Sequence, residues 1–220
     1  YGYYSWGVYL DDWTSDTLVS GNIIVRPHID CVMIHGGRMN TITKNLCYAD
    51  KELESMIRLR EDHHNGYDGS EDPKWSEVQN MLAAGFNQSA HLAAFPDLLT
   101  VPRFPGRGEL QTNNTVSSNV LVSSYVTPPR LYEVYRLSPS NTFSNNTIWS
   151  TQAAPFGVYG SLNTTPDGLS VTWNTFADWL AAGFDAGSQY ADPLISDPSV
   201  NNFTLSSGSP ALSKGYLQIN

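Results

Sequence analysis

Val8-Tyr9-Leu10-Asp11-Asp12 followed by Thr17-Leu18-Val19-Ser20-Gly21-Asn22-Ile23-Ile24-Val25 is answered by a second stretch of the same design. Val32-Met33-Ile34-His35-Gly36 is followed there by Thr41-Ile42-Thr43-Lys44-Asn45-Leu46-Cys47-Tyr48. The pivot Asn22 recurs at Asn45, and the same pivot returns at Asn119 and Asn146. A repeat of this length made of two or three short strands marks a solenoid, because one repeat cannot bury its apolar face alone. Stacked repeats sit at the strand spacing, about 4.8 Å. Asn suits the turn between strands: it tolerates left-handed backbone, and its amide can bond the Asn above and below in a ladder. These asparagines are read as structural. The fold expected is all-β, a right-handed single-stranded parallel β-helix over residues 1–220.

Composition agrees with this. The 220 residues are 40% apolar and only 15% charged, which suits many short strands better than long salt-bridged helices. The net charge of −9 argues against nucleic acid, which needs a basic face. No apolar run approaches the length of a membrane span. Trp6-Gly7-Val8-Tyr9-Leu10 already reads as a strand with no capping segment before it. That predicts the C-terminal part of a longer chain, with missing N-terminal coils or a second copy covering the open edge.

The stretch from Asn45 to Asn119 is far too long for one coil, so residues 50–112 are read as a mainly helical insertion. Asp50 can cap a helix over Lys51–Glu61 with Leu53, Met56, Ile57 and Leu59 as its apolar stripe. Asp72-Pro73 opens a second helix ending at Gly85-Phe86. Leu-Ala-Ala-Gly-Phe recurs at Leu180–Phe184 as another helix end. The insertion is expected outside the solenoid, walling one side of any groove and anchored by Trp75 or Phe95, with Asn45 and Asn119 still adjacent. Cys31 and Cys47 could face each other in neighbouring coils and bridge, or be two buried thiols. Five sequons, at Asn87, Asn113, Asn145, Asn163 and Asn202, fit extracellular exposure, although a chain rich in Asn, Ser and Thr also produces sequons by chance.

The tail, residues 191–220, reads as a closing segment. Ala191-Asp192-Pro193-Leu194-Ile195-Ser196-Asp197-Pro198 leads to Asn202-Phe203-Thr204-Leu205, then Gly208-Ser209-Pro210-Ala211-Leu212 and Lys214-Gly215-Tyr216. It resembles the end of many secreted right-handed β-helix proteins of the pectate-lyase-like superfamily. Gly7–Asp12 and Ile34–Asn40 resemble paired coils of the same group, and Phe95-Pro96-Asp97-Leu98 resembles a step found there. The resemblance implies a secreted, carbohydrate-active protein, a polysaccharide hydrolase before a lyase, with polysaccharide or glycan as partner. A lyase of this kind would bring Ca²⁺ and a basic groove. Six of the eight arginines (Arg26, Arg38, Arg58, Arg60, Arg103, Arg107) fall between residues 26 and 107, against the overall acidity. The same tails close adhesins and fibre proteins, so a non-catalytic adhesive or structural module, such as a glycosylated fibre subunit, is the alternative.

The step that carries Asn22 to Asn45 also carries Asp12 to His35, with Arg38 just beyond in a Gly-Gly loop that could let backbone approach a ligand. Carboxylate, imidazole and guanidinium on adjacent coils could supply an acid/base and a charge stabiliser. Glycoside hydrolysis asks for two carboxyl groups. Asp11 and Asp12 would point to opposite faces of a strand, unless the strand ends between them. Glu61 or Asp62 could then supply the second group. Trp6, Tyr9 and Trp13 are the candidate platform for sugar rings. An ordinary acidic turn explains Asp11-Asp12 equally. His63-His64 lies in a polar loop without helical His spacing, so no metal site is assigned.

Overall fold

A computed structural model of the chain describes residues 4–60, 89–94, 96, 111–127, 129–152, 157–162, 170–173 and 175–219. The chain divides into two compact units, Tyr1–Arg60 with Gln111–Asn220, and Glu61–Leu110.

In the first unit the chain visits three sheets in rotation. The first circuit is β1 (Val8–Leu10), β2 (Leu18–Ser20) and β3 (Ile23–Val25), and the second is β4 (Asp30–His35), β5 (Thr41–Thr43) and β6 (Leu46–Ala49). The third is β7 (Ser55–Arg60), β8 (Thr115–Ser117) and β9 (Val120–Ser123), and the fourth is β10 (Arg130–Leu137), β11 (Thr142–Ser144) and β12 (Thr147–Ser150). β13 (Val158–Leu162) continues the first sheet and β15 (Gln189–Tyr190) the third, while β14 (Ser170–Trp173) pairs antiparallel with β13. The first sheet runs β1-β4-β7-β10-β13-β14, the second β11-β8-β5-β2 and the third β15-β12-β9-β6-β3. All other pairs in these sheets are parallel. The protein is therefore all-β in character, with parallel strands in stacked, solenoid-like sheets.

The core lies between the sheets. Val32, Ile57, Tyr132 and Val158 stack along the first sheet, Ile42, Val116 and Phe143 along the second, and Cys47, Leu121 and Ile148 along the third. Cys31 and Cys47 form a disulfide with Cα atoms 6.1 Å apart. They join β4 to β6 within one circuit, across the core, rather than bridging neighbouring coils. At the far end Trp179 stacks on Phe184 at 4.1 Å and meets Tyr132 and Phe143 at 5.7 and 5.4 Å. Its short helix, Phe176–Ala181, starts at a capping box between Thr175 and Asp178 and stops before Gly183, whose φ is +92°.

The asparagine ladder is continuous. Asn22 Nδ2 donates to Asn45 Oδ1 (2.9 Å), Asn45 Nδ2 to Asn119 Oδ1 (3.1 Å), and Asn119 Nδ2 to Asn146 Oδ1 (3.1 Å). Each of these carbonyl oxygens also accepts the backbone N–H of the residue above. The ladder ends on an acid: Asn146 Nδ2 donates to Asp185 Oδ1 at 2.9 Å. The ladder asparagines are not themselves left-handed. That conformation falls on the residue before each, Gly21, Lys44, Ser118 and Asn145. A second ladder runs through Asn40, Asn114 and Asn141. The insertion leaves the register intact, since Ile42 pairs with Val116 and Leu46 with Val120 across it.

Two expectations are corrected. The helix expected over Lys51–Glu61 is not formed: Ser55–Arg60 is β7, hydrogen-bonded between β4 and β10. Met56, Ile57 and Leu59 are all buried, and pairing on both edges overrides local helix propensity. The inserted unit accordingly starts at Glu61. Its described residues include one helix, Ser89–Ala94, whereas Asp72–Phe86, Trp75, Phe95 and Asn87 lie outside the described residues. The tail, expected as the closing segment, packs on the third sheet. Its hairpin, β16 (Ile195–Asp197) with β17 (Asn202–Leu205), brings Phe203, Leu205, Ala211 and Tyr216 onto Leu46, Tyr48, Val120 and Val122 of the third sheet.

Candidate functional site

The three sheets present different chemistry outward. The second exposes rows of hydroxyls, Thr41-Thr115-Thr142 and Thr43-Ser117-Ser144, and the third is covered by the tail. The first carries charge and aromatic rings: the row Tyr9-Met33-Arg58-Glu133-Tyr159 crosses five strands, and His35 stands beside Arg60 in the next row.

At the first-circuit end, register decides which acid meets His35. The step from Leu10 to its partner Ile34 is one position longer than the step from Leu18 to its partner Thr41. The extra residue is absorbed at Asp11-Asp12, two residues against one, as in a bulge. Both carboxylates consequently approach one imidazole: Asp11 Oδ1 is 3.1 Å from His35 Nδ1 and Asp12 Oδ1 is 3.7 Å away. The coil arithmetic that aligned Asp12 with His35 is thus corrected by one, with Asp11 the nearer partner. Tyr9 Oη lies 3.0 Å from the same nitrogen, and Trp6 stacks on Tyr9 at 4.8 Å.

Asp12 and Trp13 are left-handed, with φ of 37° and 60°, a backbone state that costs non-glycine residues roughly 1–2 kcal/mol each. Gly36 and Gly37 are left-handed directly below them. A Cβ on Gly36 would stand 2.8 Å from Trp13 Cδ1, and one on Gly37 would stand 2.1 Å from Thr14 O. The glycine pair therefore admits the neighbouring circuit, which corrects its reading as an opening for a ligand. Trp13 packs on this turn, its backbone N–H donating to His35 O at 3.0 Å. Arg38 is buried; its backbone N–H donates to Ser15 Oγ and its carbonyl accepts from Asp16.

Sequence reading missed the ionic group next along this sheet. Asp30, Arg58 and Glu133 are nearly inaccessible, at 0, 8 and 3% side-chain exposure. Arg58 Nε is 3.1 Å from Asp30 Oδ2, and its Nη2 reaches Glu54 at 2.6 Å and Glu133 at 3.4 Å. Ser55 Oγ and Trp6 Nε1 donate to Asp30, and Tyr135 Oη donates to Glu133 at 2.7 Å. Burial pushes the Asp30 carboxyl up to about 6 against the opposing pull of Arg58. Burial also opposes the charge of Arg58, but Asp30 and Glu54 outweigh it and hold its pKa above the ordinary value. Tyr135 is raised to about 12 by burial and by its bond to Glu133. These groups come from successive circuits, Glu133 and Tyr135 from beyond the insertion, so no local motif announces them; strand register alone brings them together.

Asp11, Asp12 and His35 offer ligand atoms within 4.8 Å of one another, so they could converge on a cation. Two oxygens with an imidazole nitrogen suit a transition ion better than Ca²⁺, which prefers six to eight oxygens. The sequons at Asn113, Asn145 and Asn202 are exposed, and Asn163 lies outside the described residues, as do Glu61, Asp62, His63 and His64. No helix among the described residues is long and apolar enough to cross a membrane. Comparison with protein-family models, with curated proteins and with solved structures gave no match.

Proposed function

We propose that this chain is a right-handed, single-stranded parallel β-helix of the pectate-lyase-like kind that is exported and hydrolyses polysaccharide on its first sheet. The observation that carries the proposal is the convergence of Asp11, Asp12 and Tyr9 on His35, beside the Trp6–Tyr9 stack. The disulfide favours an oxidising compartment.

In this reading Asp11 accepts from His35 Nδ1–H and fixes the tautomer, which makes Nε2 the atom that exchanges a proton. As the imidazolium, His35 gives its Nε2 proton to the glycosidic oxygen while the bond to the anomeric carbon breaks, and the Asp12 carboxylate stabilises the positive charge left there. Water then adds to that carbon and returns its proton to His35. Trp6 and Tyr9 hold a sugar ring by its C–H face.

The test is release of reducing ends from neutral and uronate polysaccharides, with unsaturated uronate products as the mark of a lyase. Activity that falls at least about 100-fold in both His35→Ala and Asp12→Asn, with unfolding curves unchanged, supports the proposal. Turnover that survives both substitutions sinks it. A second reading, a non-catalytic adhesive module, is favoured by the Asp30–Arg58–Glu133 group, whose charges are engaged with one another. Glycan binding without turnover in the same assay would establish that reading.

A further inference from the structure

A groove lies at the β12–β15 edge of the third sheet, at the opposite end of the stack from His35. It encloses about 700 Å³ between the end of β12, the helix Phe176–Ala181 and β15, within the range of small-ligand sites, about 300–1,000 Å³. Three rings line it. Trp149 and Tyr190 have centroids 5.5 Å apart, and Phe176 and Tyr190 6.5 Å apart. Tyr190 is 38% exposed, and its hydroxyl accepts from the Ser150 backbone N–H at 3.2 Å, so the ring is held in place. Leu180, equally exposed, forms part of the wall.

The polar groups are amides and hydroxyls. Gln152 Nε2 donates to Ser124 O, and Gln189 Nε2 donates to Thr147 Oγ1 at 3.2 Å. Their Oε1 atoms accept no hydrogen bond among the described residues, so each is an oriented acceptor. Among the described residues that line it there is no Asp, Glu, Lys, Arg or His, in a chain of net charge −9. A charged ligand would be desolvated here without a counter-charge. A lipid tail would leave both amides unanswered. A neutral pyranose meets each condition, because its C–H face packs on an aromatic ring and its hydroxyls donate to amide oxygens.

We infer that the Trp149–Tyr190–Phe176 groove binds a neutral oligosaccharide, separately from the chemistry proposed at His35. It would hold the polymer without cutting it. The inference does not depend on the hydrolase reading, and either can fail alone.

The test is calorimetric titration of the full chain with cellohexaose, xylohexaose, mannohexaose and laminarihexaose, with hexagalacturonate as the charged comparison. At least one neutral hexasaccharide should bind with Kd between about 10 μM and 1 mM, and hexagalacturonate at least tenfold more weakly. Leu180→Asp, which puts charge on an exposed wall position, should weaken neutral binding at least tenfold. Gln189→Ala should weaken it about threefold. Absence of neutral binding at millimolar sugar would overturn the inference, as would binding that Leu180→Asp and Gln189→Ala leave intact. So would sedimentation showing self-association that Leu180→Asp abolishes, since the groove would then be covered by a second copy.

Discussion

His35 Nδ1 lies 3.1 Å from Asp11 Oδ1 and 3.7 Å from Asp12 Oδ1, so one ring nitrogen faces two consecutive carboxylates of the circuit above. Of the two acids the nearer, Asp11, is the one placed to accept a proton from Nδ1 and so set the tautomer. In nitrogen-15 spectra the neutral form of His35 should be predominantly Nδ1–H. Asp11→Asn should mix the two tautomers, because an amide can donate as well as accept, whereas Asp12→Asn should leave them nearly as they were. Equal effects from the two substitutions would remove the distinct roles assigned to them.

The Cys31–Cys47 bridge spans a sequence separation of 16 residues and lies wholly in the core. Closing a loop of that length stabilises a fold by about 3 kcal/mol. Replacing both cysteines by Ala should lower the Tm by roughly 10 °C, at about 2–4 °C per kcal/mol for a chain of this size. Thiol titration of the native protein should find no free cysteine. A double variant with unchanged Tm would show the bridge to be energetically idle.

Asp30 gives the fold a pH dependence whose sign follows from its burial. Its carboxyl is raised from 3.8 to about 6, so the native state holds the proton more tightly than the unfolded chain. Stability should therefore be greatest below about pH 4 as far as this group is concerned, and fall as pH rises to about 6. The loss is on the order of 3 kcal/mol, since raising a pKa tenfold in affinity is worth about 1.4 kcal/mol. Arg58 stays charged across this window, and Glu54 and Glu133 are common to both proteins in an Asp30→Asn comparison. Urea unfolding at pH 4.5 and 6.5 should show a smaller fall for Asp30→Asn than for wild type, and parallel falls would refute the assignment.

Within the ladder, Asn119 both receives and gives. Asn119→Asp would remove its donations to Ile42 O and Asn146 Oδ1 and set a buried carboxylate against those oxygens. The expected cost is about 3 kcal/mol or more. Asp185→Asn is the milder change, at about 1–3 kcal/mol, since Oδ1 can still accept while the new amide faces Trp179 Nε1–H. Chemical denaturation of the two variants checks the order.

The insertion leaves and returns at one place, since Gln111 Nε2 donates to Leu59 O at 3.2 Å. Replacing residues 61–110 by a short Gly-Ser loop should therefore keep the strand-dominated circular dichroism and the disulfide, because the Asn45–Asn119 contact does not pass through the removed residues. A collapsed or reduced product would show that the insertion is needed to fold the stack.

The sequence disclosed the stack where each circuit repeats its own chemistry. Asn22, Asn45, Asn119 and Asn146 are legible because the ladder requires the same amide at every level. The second ladder was equally available: Asn40, Asn114 and Asn141 each precede a ladder residue by five positions. β7 was hidden because Leu53, Met56, Ile57 and Leu59 mimic a helical stripe when a strand is buried on both faces. The meeting of Asp11 and Asp12 at His35 was half legible. The coil step placed an acid there, but a one-residue bulge decided which, and nothing local to Asp11 encodes the shorter turn at Gly36-Gly37.

Hydrogen bonds along the main ladder all point one way, from Asn22 towards Asp185. The circuits are therefore not interchangeable modules. A circuit bearing Asn45, Asn119 or Asn146 can be copied or deleted and the relay still closes, because each amide hands on what it receives. The circuit bearing Asp185 cannot be copied inward, since a carboxylate has no proton to pass to the next level. Lengthening or shortening of this protein by whole circuits, in the laboratory or by duplication in its gene, is thereby confined to the side of the stack before that acid.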